Sequence, residues 1–457
     1  MPKRLLNSTL VAVLSAAAFA SWCAAPVFAQ NAPCALHGTV VNADGEVKDE
    51  WVSFVDGRIT AITETKPVGP KIFIEVDGFV YPGLIDTHNH VHYNVIPQWS
   101  NGQYPNRYAW QQDPEYLEKV ENQFVRESDS GETADAVLYG EARSVIGGAT
   151  LIQSNYAKPQ AEQFIRNLDV PNYRAESYTG PIEKIDPAVA DKLRDNLNGT
   201  TLRLFFHIAE GKKSDTATQV EFGLLKDKGF ARSGVVLIHG IALTPANFAE
   251  MKQNKMHLVW SPRSNLRLYG ETTDVQAALD AGLKVAIAPD WTVTGSSNML
   301  DELRFARNYL NRNRKPQEKF PSQKLFEMAT SNAAEVAGVS DKLGSIEVKK
   351  CADFLITKKL VHYDKKTDAF LKLDAYDSLV QCTPGDVELV VVAGRPVYGD
   401  SELMSKYAKE SSAIKVANSN KRIAIHDEKT DDHFVDFNAV EARIKKALPC
   451  VAPLYEP

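Results

Sequence analysis

From Tyr81 to Leu343, short apolar runs alternate with helix-length amphipathic stretches such as 132–146, 245–255, 298–310 and 321–337. This rhythm restricts the fold more than any other feature of the chain. An amphipathic helix between two apolar strands is a βα unit, and its repetition demands a parallel sheet. Val235-Val-Leu-Ile and Val285-Ala-Ile-Ala are apolar at every position, as strands covered on both faces require. A (β/α)8 TIM-like barrel needs about 250 residues, which this window supplies. A doubly wound sheet is the alternative, although no glycine-rich phosphate loop follows an early strand.

The flanks have another texture. From Ala35 to Val80, β-rich runs such as Gly38-Thr-Val-Val and Trp51-Val-Ser-Phe-Val are separated by turn signals such as Asn42-Ala-Asp-Gly. The pattern returns after Gly344, in Ala352-Asp-Phe-Leu-Ile-Thr and Val387-Glu-Leu-Val-Val-Val. The expected architecture is α/β: a barrel over 81–344, with a small β-sandwich formed from both ends of the chain, 30–80 and 345–400. Residues 101–130, polar and aromatic, are expected to be an active-site loop. The polar stretch 401–457 is expected to be a C-terminal extension with one amphipathic helix near 438–447.

Residues 1–29 carry Lys3 and Arg4, a small-apolar run from Leu10 to Ala20 and an A-x-A-like site ending at Ala29. That is the pattern of a signal peptide, so the mature chain is expected to be periplasmic or secreted. The run falls short of the roughly 20 apolar residues a membrane span needs, and no membrane association is expected after cleavage. The formal charge of -6 becomes -8 once residues 1–29, with two cations and no acid, are removed. An acidic chain of this kind argues against a nucleic-acid partner. A small molecule is the expected ligand, and a homo-oligomer is compatible with the sequence. Cleavage leaves Cys34, Cys351, Cys382 and Cys450, an even number in an oxidising compartment. Proximity in sequence favours the pairs Cys34–Cys450 and Cys351–Cys382, with free buried thiols as the alternative.

The chemistry concentrates at strand ends. Pro82-Gly-Leu-Ile-Asp-Thr-His88-Asn-His90 places two histidines two residues apart, the spacing that turns both side chains to one face of a strand. His92 shares the parity but falls past the expected strand end. Thr201-Leu-Arg-Leu-Phe-Phe leads into His207, with Glu210 three residues on; Val235-Val-Leu-Ile ends on His239; Val285-Ala-Ile-Ala-Pro ends on Asp290. A single histidine at a strand end is usually structural. Five such positions in register point to the catalytic face of a barrel, where all strand ends meet. Three neutral imidazoles and a carboxylate, with no thiolate, suit one divalent Zn or Fe better than Mg or Ca. Such a site can lower the pKa of bound water to about 7. Asp290 is then placed to accept the water proton, Glu210 to protonate a leaving nitrogen, and His239 to bind an oxyanion.

These residues resemble the amidohydrolase superfamily, in particular the branch of guanine and cytosine deaminases and triazine hydrolases. The resemblance runs from about Ala35 to Tyr398, through Asp77 to His90, Gly147-Gly-Ala-Thr, His207-Ile-Ala-Glu210, Ile238-His239-Gly240, Ser261-Pro-Arg-Ser-Asn265, Pro289-Asp290 and Ala352-Asp353. It implies that His88, His90, His207 and Asp290 hold the metal, that Glu210 is an acid/base, and that His239 orients substrate or water. Two departures are visible. No lysine ends an apolar strand between Leu151 and Thr200, where binuclear members carry a carbamylated lysine; Lys158, Lys184 and Lys192 all stand in polar contexts. Trp291 replaces the glycine that often follows the aspartate. Taken together, the sequence reads as an exported metal-dependent hydrolase acting on a carbon–nitrogen bond, by deamination or ring opening, in a small cyclic amidine- or amide-like molecule. The alternatives are a binuclear peptidase-like or lactone-cleaving amidohydrolase, and a non-catalytic periplasmic binding protein.

Overall fold

The computed structural model describes residues 32–455 except 43–44, 100–101, 124–132, 155–164, 170–172, 365–367, 409, 428–432 and 449. The expected signal peptide, Lys158 and parts of the 101–130 loop lie outside the described residues.

The chain enters through β1 (Cys34–Val41), β2 (Val47–Val55) and β3 (Arg58–Thr63), paired antiparallel in sequence. The long strand β4 (Ile72–Pro82) then runs parallel to β1. After Gly83 the same line continues as β5 (Leu84–Asp86), the first strand of the α/β part. A side chain cannot stand at Gly83, because a Cβ there would lie 2.2 Å from Thr150 Oγ1.

Seven further parallel strands follow: β6 (Ala149–Ile152), β7 (Arg166–Asn167), β8 (Ala175–Tyr178), β9 (Arg203–Ile208), β10 (Val235–His239), β11 (His257–Trp260) and β12 (Val285–Ile287). They form two arcs, β5-β6-β7 and β12-β11-β10-β9-β8. An isolated parallel bridge between Asn89 and Asp290 links β5 to β12, with His90 N donating to Asp290 O at 3.1 Å and Asp290 N to His88 O at 3.2 Å. The two main chains that carry these candidate site residues are therefore bonded directly. Past the half-buried Arg203 and His257 that open β9 and β11, residues of β9, β10 and β11 are buried on both faces, which explains the apolar runs Leu204–Phe206, Val235–Ile238 and Leu258–Trp260.

The remaining strands are β13 (Phe354–Thr357), the hairpin β14 (Val361–Asp364) with β15 (Ala369–Lys372), β16 (Val387–Val392), β17 (Arg395–Asp400), β18 (Ser412–Val416), β19 (Ser419–Ile423) and the short pair β20 (His426–Asp427) with β21 (His433–Phe434). Both chain ends meet in one nine-stranded sheet of order β18-β19-β17-β16-β13-β4-β1-β2-β3. Its core packs Leu36, Val52, Phe54 and Ile74 against Phe354, Ile356, Leu389 and Met404. Residues 401–457 are bound into the structure more closely than an extension implies. They add β18 and β19 to the sheet, and their helix Phe437–Ala447 packs on the helix Thr133–Ile146. Arg443 pairs there with both oxygens of Asp135 at 2.6 and 2.7 Å.

Two expectations are corrected, and one strand is added that the sequence did not signal. The stretch 321–337 is two helices, Ser322–Ala329 and Ser331–Ala337, broken at Thr330, whose hydroxyl turns back to Phe326 O at 2.7 Å. Strand β7 is polar in sequence and two residues long, so it carried no apolar signal; Arg166 is buried there against Asp353, at 3.0 and 3.1 Å. Cys382 and Cys450 are free thiols, so neither Cys34–Cys450 nor Cys351–Cys382 forms a disulfide. Position near the two mature termini failed as a guide to the first pair because Cys450 is exposed whereas Cys34 is buried in β1, its Sγ bonded to Ala32 O at 3.2 Å.

Candidate metal centre

His88 and His90 stand beyond the end of β5, so strand parity is not what aligns them. Their geometry comes from the turn. The Asp86 carboxylate accepts from His88 N at 3.2 Å and from Asn89 Nδ2 at 2.6 Å, while Asn89 N donates to Gln153 O at 2.7 Å. With the bridge to Asp290 this fixes both histidines over the strand ends, their ring centroids 5.0 Å apart. His207 lies within β9, His239 closes β10, and Asp290 follows β12. The rings of His207 and His239 are 4.8 and 5.5 Å from that of His88 and 5.4 Å from each other. His239 and Asp290 hold left-handed backbone, with φ of 68° and 71°, a strain of about 1–3 kcal/mol each that recurs at functional sites.

The residues brought together are those singled out in the sequence. Among the described residues, two sets have ligand atoms within 4.8 Å of one another: His88, His90 and Asp290, and His88, His207 and His239. His88 is common to both. Asp290 Oδ1 lies 3.0 Å from His88 Nε2 and 3.5 Å from His90 Nε2, and its Oδ2 accepts the Ser264 hydroxyl at 2.6 Å. His92, by contrast, packs on Tyr93 with ring centroids 4.7 Å apart and belongs to neither set.

The donor set fits a divalent metal. His207 Nδ1 is buried without a hydrogen-bond partner, and His88 Nε2 faces only the Asp290 carboxylate at 3.0 Å, an arrangement that a ligated cation would satisfy. Hydrogen bonding also selects the tautomer of His88. Gln153 spends its amide N–H groups on Asp169 and Ser177, both at 3.0 Å, so its Oε1 accepts from His88 Nδ1 at 3.3 Å and leaves Nε2 with the lone pair. In the absence of metal the imidazoles differ. Burial opposes charge on His88, but the adjacent Asp290 carboxylate holds it above the usual value. Burial, followed by the charge of His88, pushes His90 down to about 3 and His207 well below its normal range. Burial would raise Asp290, yet its histidine neighbours, His88 foremost, hold it below the usual carboxylate range.

Glu210 sits 5% exposed just after β9, beyond a left-handed turn at Ala209. Tyr269 donates its hydroxyl to Glu210 Oε1 at 2.6 Å and accepts Trp110 Nε1–H at 2.8 Å. The other oxygen, Oε2, is 3.7 Å from His239 Nε2 and 4.0 Å from Arg107 Nη1. Asn265 donates to Thr272 and so presents Oδ1 to His239 Nδ1 at 2.8 Å. Neutral His239 therefore carries its proton on Nδ1, and Nε2 is an acceptor. The oxyanion-donor role expected for it holds only for the imidazolium.

A cavity of about 250 Å³ opens onto these groups, lined by His90, Glu210, His239 and Asp290 together with Arg107, Trp110, Tyr116 and Trp291. The described part of the 101–130 loop thus reaches the site. Trp291 is its central aromatic, with ring centroids 5.4 Å from His90, 5.9 Å from Trp110 and 6.5 Å from Tyr116. Sequence reasoning missed Arg107, Trp110, Gln153 and Tyr269. No spacing rule marks them, because they arrive from loops, a strand end and a helix. Strand β8 ends Ala175-Glu-Ser-Tyr178, without a lysine; Lys184 and Lys192 are exposed.

Residues 204–397 match the amidohydrolase family. The chain is 30% identical over 155 residues to a 5-methylthioadenosine/S-adenosylhomocysteine deaminase of Bacillus cereus, covering 33% of this chain and 35% of that protein. The match thus spans about a third of the length of the curated relatives. Among solved structures, an adenosine deaminase of Xanthomonas campestris with bound zinc superposes with a TM-score of 0.66 at 16% identity, covering 91% of this chain and 97% of that one. An atrazine chlorohydrolase of Arthrobacter aurescens complexed with zinc gives 0.64 at 16% identity over 91% and 99%. A guanine deaminase of Bradyrhizobium japonicum gives 0.61 at 17% identity over 81% and 100%. At these identities the structures establish a shared fold.

Proposed function

We propose that this chain, which carries the amidohydrolase family pattern over residues 204–397, is an exported metal-dependent hydrolase of carbon–nitrogen bonds other than peptide bonds. Its substrate is a small cyclic amidine- or amide-like molecule, deaminated or ring-opened. The observation that carries this is the convergence of His90, His207, His239 and Asp290, with His88 directly beside them, from four separate strand ends on one small cavity that also holds Glu210. Closure of the eight parallel strands into a barrel and the association of the terminal strands as a sandwich complete the architecture. The pattern of residues 1–29 supports export to the periplasm or medium.

One Zn or Fe would be held by His88, His90, His207 and Asp290, and when bound it supplies Lewis-acid activation of water and of the substrate. Mononuclear binding is supported by the lysine-free end of β8. The rest is done by side chains. Asp290, with Oδ2 fixed by Ser264 and Oδ1 turned to the histidines, is placed to take the proton of the attacking water. Glu210 is anchored through Oε1 by Tyr269, so Oε2 is the oxygen that delivers a proton to the departing nitrogen. His239 Nε2, an acceptor facing Glu210 Oε2, orients the water or shares its proton. Trp291 and Trp110 supply flat walls for a planar substrate.

Glu210→Gln keeps the size and the bond from Tyr269 but cannot transfer the proton. We expect kcat to fall by about 10²–10⁴-fold with metal content unchanged, measured on cyclic amidines, ureas and imides. Undiminished turnover in this variant would remove Glu210 from the mechanism.

A further inference from the structure

We infer that the substrate carries an anionic oxygen group of the carboxylate class, anchored by Arg107. This deepens the hydrolase reading above and rests on it for the word substrate, though not for the binding itself. Arg107 begins the short helix Arg107–Trp110 and is 3% exposed in the cavity wall. Its backbone N–H donates to Glu210 O at 3.2 Å, which ties its place in the wall to that of the acid. A guanidinium has five N–H donors. Here it forms three hydrogen bonds, all to neutral oxygens: Thr179 O and Gly180 O at 3.3 Å, and Tyr108 Oη at 3.4 Å. All three are at or beyond the long end of the ordinary range of about 2.7–3.2 Å. Its Nε is buried with no acceptor at all.

Two carboxylates act on this cation, and neither meets it in a two-pronged contact. Glu210 Oε2 is 4.0 Å away and its Oε1 is held by Tyr269. Glu221 is taken by the Tyr108 hydroxyl and by Ala209 N, the latter at 2.6 Å. A buried arginine normally finds a carboxylate in two-pronged contact, and leaving it without one is costly. The cavity is the side from which such a partner can come. The aromatic faces of Trp110, Tyr116 and Trp291 line the same space, so the acceptor it fits is an acid group on a small planar ring.

The test is equilibrium binding of a matched pair, nicotinate and its neutral carboxamide nicotinamide, by calorimetry on the full chain, metal-loaded and metal-stripped. Wild type should bind the acid at least about tenfold tighter in both states, the size expected of one charge-assisted hydrogen bond. Arg107→Met should abolish the preference; Arg107→Lys should keep part of it, retaining charge but losing the planar fork. Equal binding by wild type, a preference that survives Arg107→Met, or one that disappears with the metal would each overturn the inference. Should Arg107→Met fail to fold, the wild-type ratio and Arg107→Lys decide. Acid preference without any carbon–nitrogen hydrolysis would leave this inference standing and sink the hydrolase; turnover of neutral rings without acid preference would do the reverse.

Discussion

At the scale of single residues, the site depends on hydrogen bonds that select which atom of each group is available. Tyr269 is the clearest case, because it occupies one oxygen of Glu210 and leaves the other for chemistry. Tyr269→Phe removes one hydrogen bond to Glu210, worth about 0.5–1.5 kcal/mol, so kcat should drop by about 2- to 10-fold with KM little changed. Steady-state kinetics on the variant decide this; a change in KM alone would make Tyr269 a wall residue. His257, outside the site, gives a pH signature. Burial, then the cations Arg203, Lys252 and Lys284, push its pKa down to about 4. Between that value and about 6.5, the unfolded chain binds a proton that the folded chain refuses, so stability rises with pH across this window and the slope ends below it. His257→Gln should flatten the rise, as read by urea melts at pH 4.5 and 7. The histidines, Glu210 and Asp290 were legible in the sequence because they end apolar strands. Arg107, Trp110 and Tyr269 were not, since they sit on short helices with no periodicity to tell which side chain will turn toward the site.

Elements show where pattern succeeds and where tertiary structure overrides it. The rhythm of apolar runs found β9, β10 and β12 because strands covered on both faces are apolar throughout. It missed β7, where Arg166 and Asn167 are buried polar residues satisfied from far along the chain. That strand is held by Asp353, which also accepts Ala393 N at 2.8 Å and so joins the barrel strands to the terminal sheet. Asp353→Ala would remove the carboxylate that meets the Arg166 guanidinium, itself 1% exposed, in two hydrogen bonds. We expect a loss of about 3–5 kcal/mol, checked by chemical denaturation, whereas a surface pair would cost under about 1 kcal/mol. The two histidines of the first motif were expected to share one face for an incomplete reason. It is the turn after β5, bonded to Asp290 and Gln153, and not strand parity, that aims them.

For the whole molecule, the chain ends are part of one structure rather than ornaments on a barrel. Residues 401–457 complete the sheet edge and brace the helix Thr133–Ile146, through the stacked rings of Tyr139 and Phe437 and the bond from Tyr139 to Ala452 O at 2.8 Å. Ala452 N in turn donates to Val95 O at 2.7 Å, a few residues past the site histidines. Ending the chain at Asp400 should therefore lower Tm and solubility rather than leave a stable trimmed enzyme. No periodicity could reveal that bracing, because it depends on contacts some 300 residues apart in the chain. The central claim, that the convergent histidines and Asp290 hold one catalytic metal, is tested most directly by elemental analysis of purified wild type and His88→Ala, since His88 belongs to both ligand sets. We predict one zinc or iron per wild-type chain and little in the variant. Two metals per chain, or equal metal in the two proteins, would contradict the account.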